Sequence, residues 1–328
     1  MKYDVITIGD ITTDNFIKVN SAAHLRQRSD ANELCFSFGD KLPYDESIEV
    51  PAVGNAANAA VSCARLGLKS AILTRVGDDF NGQLCISQLM QEGVSVDFVQ
   101  KEEGKHSNYH FVLQFGAERT ILIKHEEFDY QLPANLDSAW LYLTSIAKNT
   151  KEFHNNIVEY LDKHKAVKLA FQPGTFQLDF GLEFLRKIIE RSELFICNKE
   201  EARHLLNKKA DIKELVINLI NIGAKKVVIT DGKNGALASD STRLFKVPIY
   251  PDVADPEDRT GAGDAFASTI VAFLAKGYMF KEALYYAPIN SMSVTQFLGA
   301  QKGLLTHKAL DAYLKDAPAD YKIEEISL

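Results

Sequence analysis

Cysteine and tryptophan are scarce: 328 residues hold four of the first and one of the second. Cys35, Cys63, Cys85 and Cys197 are far apart and none belongs to a C-x-x-C pair. That argues against zinc and for separate thiols in a reducing compartment. Runs of basic residues are missing, and the formal charge is −7. A nucleic-acid or anionic-membrane surface is therefore not expected, although an anion can still be bound if backbone N–H groups do the work. No apolar run reaches eighteen residues, so no membrane-spanning helix is expected. The opening MKYDVITIGD lacks the basic-then-apolar order of a signal peptide and reads as a first strand, which leaves the cytoplasm as the default location. What is present is ordinary for a soluble domain. With 46% hydrophobic and 25% charged residues, the chain can bury a sizeable core. Its length fits two domains or one large α/β unit.

Apolar runs at 3–9, 69–76, 139–143, 167–171, 194–197 and 226–230 predict buried strands. Helical spacing lies between them, as in 56–66, which Gly67 stops, and in 152–163, where Phe153, Ile157, Tyr160 and Leu161 recur. In the helix expected over 80–91, Phe80, Leu84 and Leu89 are expected to point inward. Alternating βα units imply a mostly parallel sheet with helices on both faces. Two patches of short strands interrupt that pattern. One comprises 16–19, 34–38 and 48–53, around a polar segment at 21–32 that reads as loop or helical turn. The other comprises 96–99, 109–115 and 120–123, the last two joined by a turn at 116–118. Together they predict a small β-rich lid built from residues 12–53 and 96–125 over one edge of the sheet.

The chemistry concentrates in DRTGAGDAFAST, residues 258–269. Phe266, Ile270, Phe273 and Leu274 mark a helix starting at about Gly263 and ending near Gly277. The glycine loop before it offers unhindered N–H groups at the positive end of that helix, an anion site by construction. Asp264 in the first turn is a poor anion ligand, since like charges repel. It makes sense as a group that takes a proton from a hydroxyl attacking phosphorus, although an acid at a helix start also suits the dipole alone. GNAAN (54–58) opens another helix with two amides, which can cap it or bind sugar hydroxyls. Asp14, in GDITTD (9–14), can accept from a diol or serve as a turn residue. NKEE (198–201) follows a strand; Asn198 and Glu201 can order water around Mg²⁺ or form a capping box. TDGKNG (230–235) ends a strand in a glycine turn and reads most simply as a hairpin.

Taken in this order, the segments resemble the ribokinase-like (PfkB) family of carbohydrate and nucleoside kinases, from Gly9 to about Gly299. DRTGAGD is similar to the family's C-terminal signature, GNAANAAVSCARLG (54–67) to its N-terminal one, NKEE to its N-x-x-E element and TDGKNG to its nucleotide turn. The resemblance implies a single ribokinase-like domain over 1–328, with a Rossmann-like, mostly parallel sheet, and ATP-dependent phosphorylation of an alcohol. By position it makes Asp264 the catalytic base and the N–H groups of Gly261, Ala262 and Gly263 the anion hole. Asp14, Gly54, Asn55 and Asn58 would hold the acceptor. Asn198 and Glu201 would serve phosphate and Mg²⁺, the latter through water. Thr230, Gly232 and Gly235 would line the adenine nucleotide. Asp258 resembles the region where some members bind a monovalent cation such as K⁺, and the lid matches a flap that often makes dimer contacts.

The chain departs from the pattern at Val53, where a glycine is usual, at Asn55, where ribose kinases often carry Lys, and in the long 14–54 stretch with its charged segment 24–30. All three fall around the acceptor. A small sugar (pentose, hexose or keto-sugar acid) is the favoured acceptor. A nucleoside is the alternative, with Phe36, Phe38 and Phe111 able to stack on a base or to fill a lid core. A phosphosugar would need cations, for which Arg26, Arg28, Arg119 and Lys124 are candidates. A non-catalytic sugar-binding protein is the reading outside enzymes, and Asp264 with its whole glycine loop speaks against it. Arg259 has no assignment from sequence.

Overall fold

The computed structural model describes residues 2–27, 32–116 and 118–327. Arg28 and the middle of the 116–118 turn lie outside the described residues. In chain order the strands are β1 (Tyr3–Ile8), β2 (Thr12–Lys18), β3 (Ala23–Gln27), β4 (Asn32–Phe36), β5 (Glu46–Val53), β6 (Ser70–Gly77), β7 (Ser95–Glu102), β8 (Tyr109–Phe115), β9 (Glu118–Leu122), β10 (Ser138–Leu143), β11 (Lys168–Phe171), β12 (Leu194–Asn198), β13 (Val227–Thr230), β14 (Ala236–Ser239), β15 (Leu244–Val247) and β16 (Glu324–Ile326). The helices are α1 (Asn55–Arg65), α2 (Phe80–Gln91), α3 (Lys151–Lys163), α4 (Thr175–Leu178), α5 (Gly181–Arg191), α6 (Lys199–Leu206), α7 (Ile212–Ile222), α8 (Ala262–Ala275), α9 (Phe280–Thr295) and α10 (His307–Lys315).

A central sheet runs β16-β15-β14-β13-β12-β11-β10-β1-β6-β7. Pairing is parallel from β13 to β7 and antiparallel from β13 to β16. Both faces are apolar because helices cover both. Ile6, Ile8, Leu141 and Leu143 enter one core cluster, and Val5, Trp140 and Tyr142 enter the other. This is the period-2 alternation of a sheet buried on both sides. One consequence positions the site: the carboxyl ends of β1, β10, β11, β12 and β13 all open on one edge, where such sheets bind ligands.

The lid is a four-stranded sheet, β5-β2-β8-β9, with β3 and β4 forming a separate antiparallel ribbon. The polar segment expected as loop or helical turn is therefore that ribbon, as far as it is described. The second lid insertion is shorter than the expected 96–125. Residues 95–102 form β7, the edge strand of the central sheet, paired parallel with β6. The strand follows β6 and α2 as a βαβ unit. It looked lid-like because only Phe98 is buried while Asp97, Lys101 and neighbouring polar residues face out along a sheet edge. In α2, Phe80 is 78% exposed, contrary to the inward orientation expected of it. Asp79 caps the helix by accepting from the Gly82 N–H, and this sets the phase so that Gly82, Cys85 and Leu89 face inward. The expected helix after the glycine loop is α8. It buries Phe266, Ile270 and Phe273 and ends at Lys276–Gly277.

Candidate active site

Asp264 stands in the first turn of α8 and is almost fully buried. Its Oδ1 accepts from Asn55 Nδ2 at 2.7 Å and from Gln172 Nε2 at 3.2 Å; its Oδ2 accepts from Asn58 Nδ2 at 2.8 Å. Burial pushes the carboxyl pKa up, and the three amides pull it down in part. The result is a carboxylate held in place by donors alone, with a raised affinity for a proton.

Packing brings those donors together. Helices α1 and α8 meet through small residues, with Ser268 Oγ donating to Ser62 Oγ at 2.7 Å, so the N-terminal turns of both helices lie side by side. Gly54 starts α1 with a φ of 98°, in the region that favours glycine, and a Cβ there would lie 3.2 Å from the Asp10 carbonyl oxygen. Gln172, at the carboxyl end of β11, also accepts from the buried Tyr142 hydroxyl. Neither residue was singled out from sequence. A polar residue before Pro-Gly at a parallel strand's carboxyl end was the signal available for Gln172.

Asn58, which the resemblance gives to the acceptor, stands against Asp264. It is buried, and its Oδ1 accepts from Gln301 Nε2 at 3.0 Å while Nδ2 serves Asp264. Both ends of the amide are engaged within the protein. It orients the acid, and Gln301, itself anchored on the Ala52 carbonyl, fixes which way the amide points. Asn55, less buried, also donates to Asp264 rather than standing free.

The glycine loop has the geometry of an anion site. Gly261 precedes α8 with a φ of 79°, and no side chain caps the helix, so the first-turn N–H groups of Ala262 and Gly263 are left for a ligand. Beside them is a cleft of about 370 Å³. Thr230, Gly232 and Gly235 border it on the β13–β14 turn, Ile249, Tyr250, Phe266 and Met292 give it apolar walls, and Arg259 with Ala262 and Gly263 forms its polar end. The TDGKNG turn is thus both a hairpin and a wall of this cleft. Arg259, unassigned from sequence, lies where an anionic group entering the loop would meet it.

Asn198 and Glu201 form the capping box of α6: Glu201 N–H donates to Asn198 Oδ1 at 2.9 Å and Asn198 N–H to Glu201 Oε2 at 2.8 Å. Asn198 is exposed. Burial, with a contribution from the Asp264 charge, raises the Glu201 pKa, which puts Glu201 within electrostatic reach of the base. Asp258, expected as a cation ligand, has its carboxylate taken up by the protein. Oδ1 accepts from Arg119 Nη1 (2.9 Å), Thr260 N–H (2.9 Å) and Thr260 Oγ1 (2.7 Å), and Oδ2 from Gly299 N–H (3.1 Å). Arg119 reaches it from β9 of the lid. Asp14 lies on β2 directly beside His110 of β8, on the lid's inner side.

Residues 21–307 match the model of the pfkB family of carbohydrate kinases. The chain is 28% identical to the ribokinase of Bacillus subtilis over 80% of its own length and 87% of the relative's. It is 29% identical to the cytidine kinase of Thermococcus kodakarensis over 74% and 87%. Its fold superimposes on the structure of Arabidopsis thaliana ribokinase complexed with ribose and ATP with a TM-score of 0.76, at 18% identity and covering 96% of this chain and 99% of that one.

Proposed function

The chain belongs to the pfkB family of carbohydrate kinases, and from that premise we propose that it transfers the γ-phosphoryl group of ATP to a hydroxyl of a small sugar. One observation carries the reading: a buried carboxylate, fixed by three amide donors, sits in the first turn of a helix whose open N-terminus borders an apolar cleft. Asp264 takes the acceptor's proton as its oxygen attacks. The N–H groups of Gly261, Ala262 and Gly263 receive the charge on the transferring group. The cleft holds the nucleotide, with Arg259 at the phosphate end. Glu201 fits the role of a carboxylate that holds Mg²⁺ through water, since Oε2 serves the Asn198 cap and the group is half-buried beside the base. Bound Mg²⁺ would supply charge neutralisation on the phosphates.

Lid chemistry favours a sugar over the alternatives. A phosphosugar would need converging cations. Arg26 is exposed and pairs with Glu33, Arg119 is tied to Asp258, and Lys124 is exposed. Phe36, Phe38 and Phe111 are 40%, 104% and 42% exposed; they neither fill a lid core nor form a buried slot for a base. ADP release measured against neutral sugars, sugar acids, nucleosides and phosphosugars tests the reading. Release that depends on a sugar is the expected result, and no acceptor-dependent release across the set overturns it.

The lid's outer face suits a second copy of the chain. Phe111 and Leu122 are cross-strand partners and both are exposed, and such a patch on a sheet is costly to leave in water. A dimer is the expected species in sedimentation at micromolar concentration, with Leu122→Glu shifting it to monomer. A monomeric parent protein would rule out this pairing.

A further inference from the structure

Lys276 stands where α8 ends, at the far end of that helix from the glycine loop and about 18 Å along its axis from Asp264. A cation suits this position for the helix dipole alone. The dipole does not explain which way the side chain turns. Lys276 is half-buried, and among the described residues its amine meets no carboxylate at ion-pair distance. Its partner is an imidazole instead, with Nζ 3.0 Å from His307 Nδ1.

The imidazole is itself held. His307 opens α10, and its ring meets Phe273 edge-on at 4.9 Å, with Tyr278 and Tyr286 flanking it at 5.9 and 6.0 Å. Its other nitrogen, Nε2, lies 3.4 Å from the Tyr278 hydroxyl and 3.7 Å from Asp311 Oδ1. Asp311, one turn further along α10, is fixed in turn by the Tyr286 hydroxyl, which donates to Oδ1 at 3.0 Å. Amine, imidazole and carboxylate thus stand in the order of a nucleophile, its base and the group that orients the base. An ammonium only donates, so when Lys276 is charged the His307 ring proton sits on Nε2, toward Asp311. Lys276 Nζ and His307 Nδ1 share one proton between them.

Burial also holds the Lys276 amine below the usual lysine range, and the Asp311 charge offsets part of that. The neutral amine is the nucleophilic form. Gly277 and Met279, just beyond it, are exposed, which leaves the end of α8 open to a small reagent. We propose that Lys276 is a site of covalent acylation, at which His307, oriented by Asp311, takes the proton while the amine attacks a small activated acyl donor, an acyl phosphate or a thioester. The Nζ lone pair forms a C–N bond to the acyl carbon. The bond from that carbon to the phosphate oxygen or the thiolate sulfur breaks, and the leaving group departs with the electron pair. The proton leaves Nζ for His307 Nδ1, and the imidazolium faces Asp311 until water removes it. The product is a neutral amide on Lys276. Nothing in this step depends on phosphoryl transfer at Asp264.

Brief treatment of the whole protein with acetyl phosphate, and separately with an acetyl thioester, followed by peptide mass spectrometry, reads the rate of acetylation at each lysine. Lys276 is expected to react about tenfold faster than Lys308, an exposed lysine next to His307 on α10. This comparison needs no variant. His307→Gln leaves Lys276 a hydrogen-bond acceptor that is not a base, and is expected to slow Lys276 about tenfold or more while Lys308 is unchanged. Asp311→Asn keeps the imidazole and should give a smaller loss in the same direction. Melting of each variant checks its fold. Selective labelling of Lys276 by either donor, lost in His307→Gln, sustains the proposal, and the donor that gives it identifies the leaving group. Labelling of Lys276 no faster than Lys308 with both donors, or an unchanged Lys276 rate in His307→Gln, overturns it.

Discussion

Asp264→Asn should bind MgATP as the parent protein does and lose about 10²–10⁴ in kcat. The substitution keeps shape and removes the base. Its amide must also fit three donors. Asn58 cannot turn to suit it, because its Oδ1 is occupied by Gln301. The new carbonyl will therefore face Asn58, and the new NH₂ will face Asn55 and Gln172. Neither group can take a proton from the acceptor. The pH profile of the parent adds a second check. Burial raises the Asp264 pKa, so the carboxyl regains its proton, and kcat falls, at a higher pH than for an exposed aspartate. Activity should be constant on the alkaline side and lost as pH drops. Stopped kinetics with both proteins test this, and near-parental turnover in Asp264→Asn would refute the assignment.

Gly261→Ala should cost at least about a hundredfold in kcat and weaken MgATP, while acceptor binding is unchanged. A left-handed φ of 79° costs an L-residue about 1–2 kcal/mol. The added Cβ would also lie 2.4 Å from Ala300 Cβ and 2.7 Å from Ala300 Cα. The two segments cannot simply separate, because Gly299 N–H is bonded to Asp258 three residues before Gly261. The loop must distort instead, and a displacement of about 1 Å at a reacting site costs on the order of 10² in rate. Gly263→Ala provides the contrast. A Cβ there meets nothing within 4 Å, so that variant should fold with parental stability, and any loss it shows reports contact with a ligand. Equal, small effects of both substitutions would remove the loop from the mechanism.

The glycine loop and its helix were legible because both rest on local rules. Phe266, Ile270 and Phe273 repeat at helical spacing, and glycines before such a repeat expose N–H groups. The parallel core was legible because strands buried on both faces read as apolar runs. Strand β7 was not, because an edge strand buried mainly at Phe98 resembles a lid strand in sequence. The hydrogen bonding of Asn58 was not either. An amide at a helix start reads as a cap or a sugar ligand, and nothing local shows that Gln301, 243 residues further along, donates to its oxygen. His110 and His125 are lone histidines in sequence. Only the pairing of β8 with β2 and the path of the chain beyond β9 bring them to Asp14 and Asp10.

The Arg119–Asp258 contact gives the lid a second task. Asp258 is a buried acid at the threshold of the glycine loop, and its charge would oppose a phosphate held there as the proposed reading requires. Arg119 cancels that charge, and it does so from the lid. Lifting the β8–β9 hairpin would take Arg119 away and leave the Asp258 charge uncovered beside the glycine loop. The same hairpin carries His110 at one end of its reach and Arg119 at the other. On the proposed kinase reading, an acceptor that held the lid down would also keep Arg119 on Asp258 and so keep the approach to the glycine loop neutral.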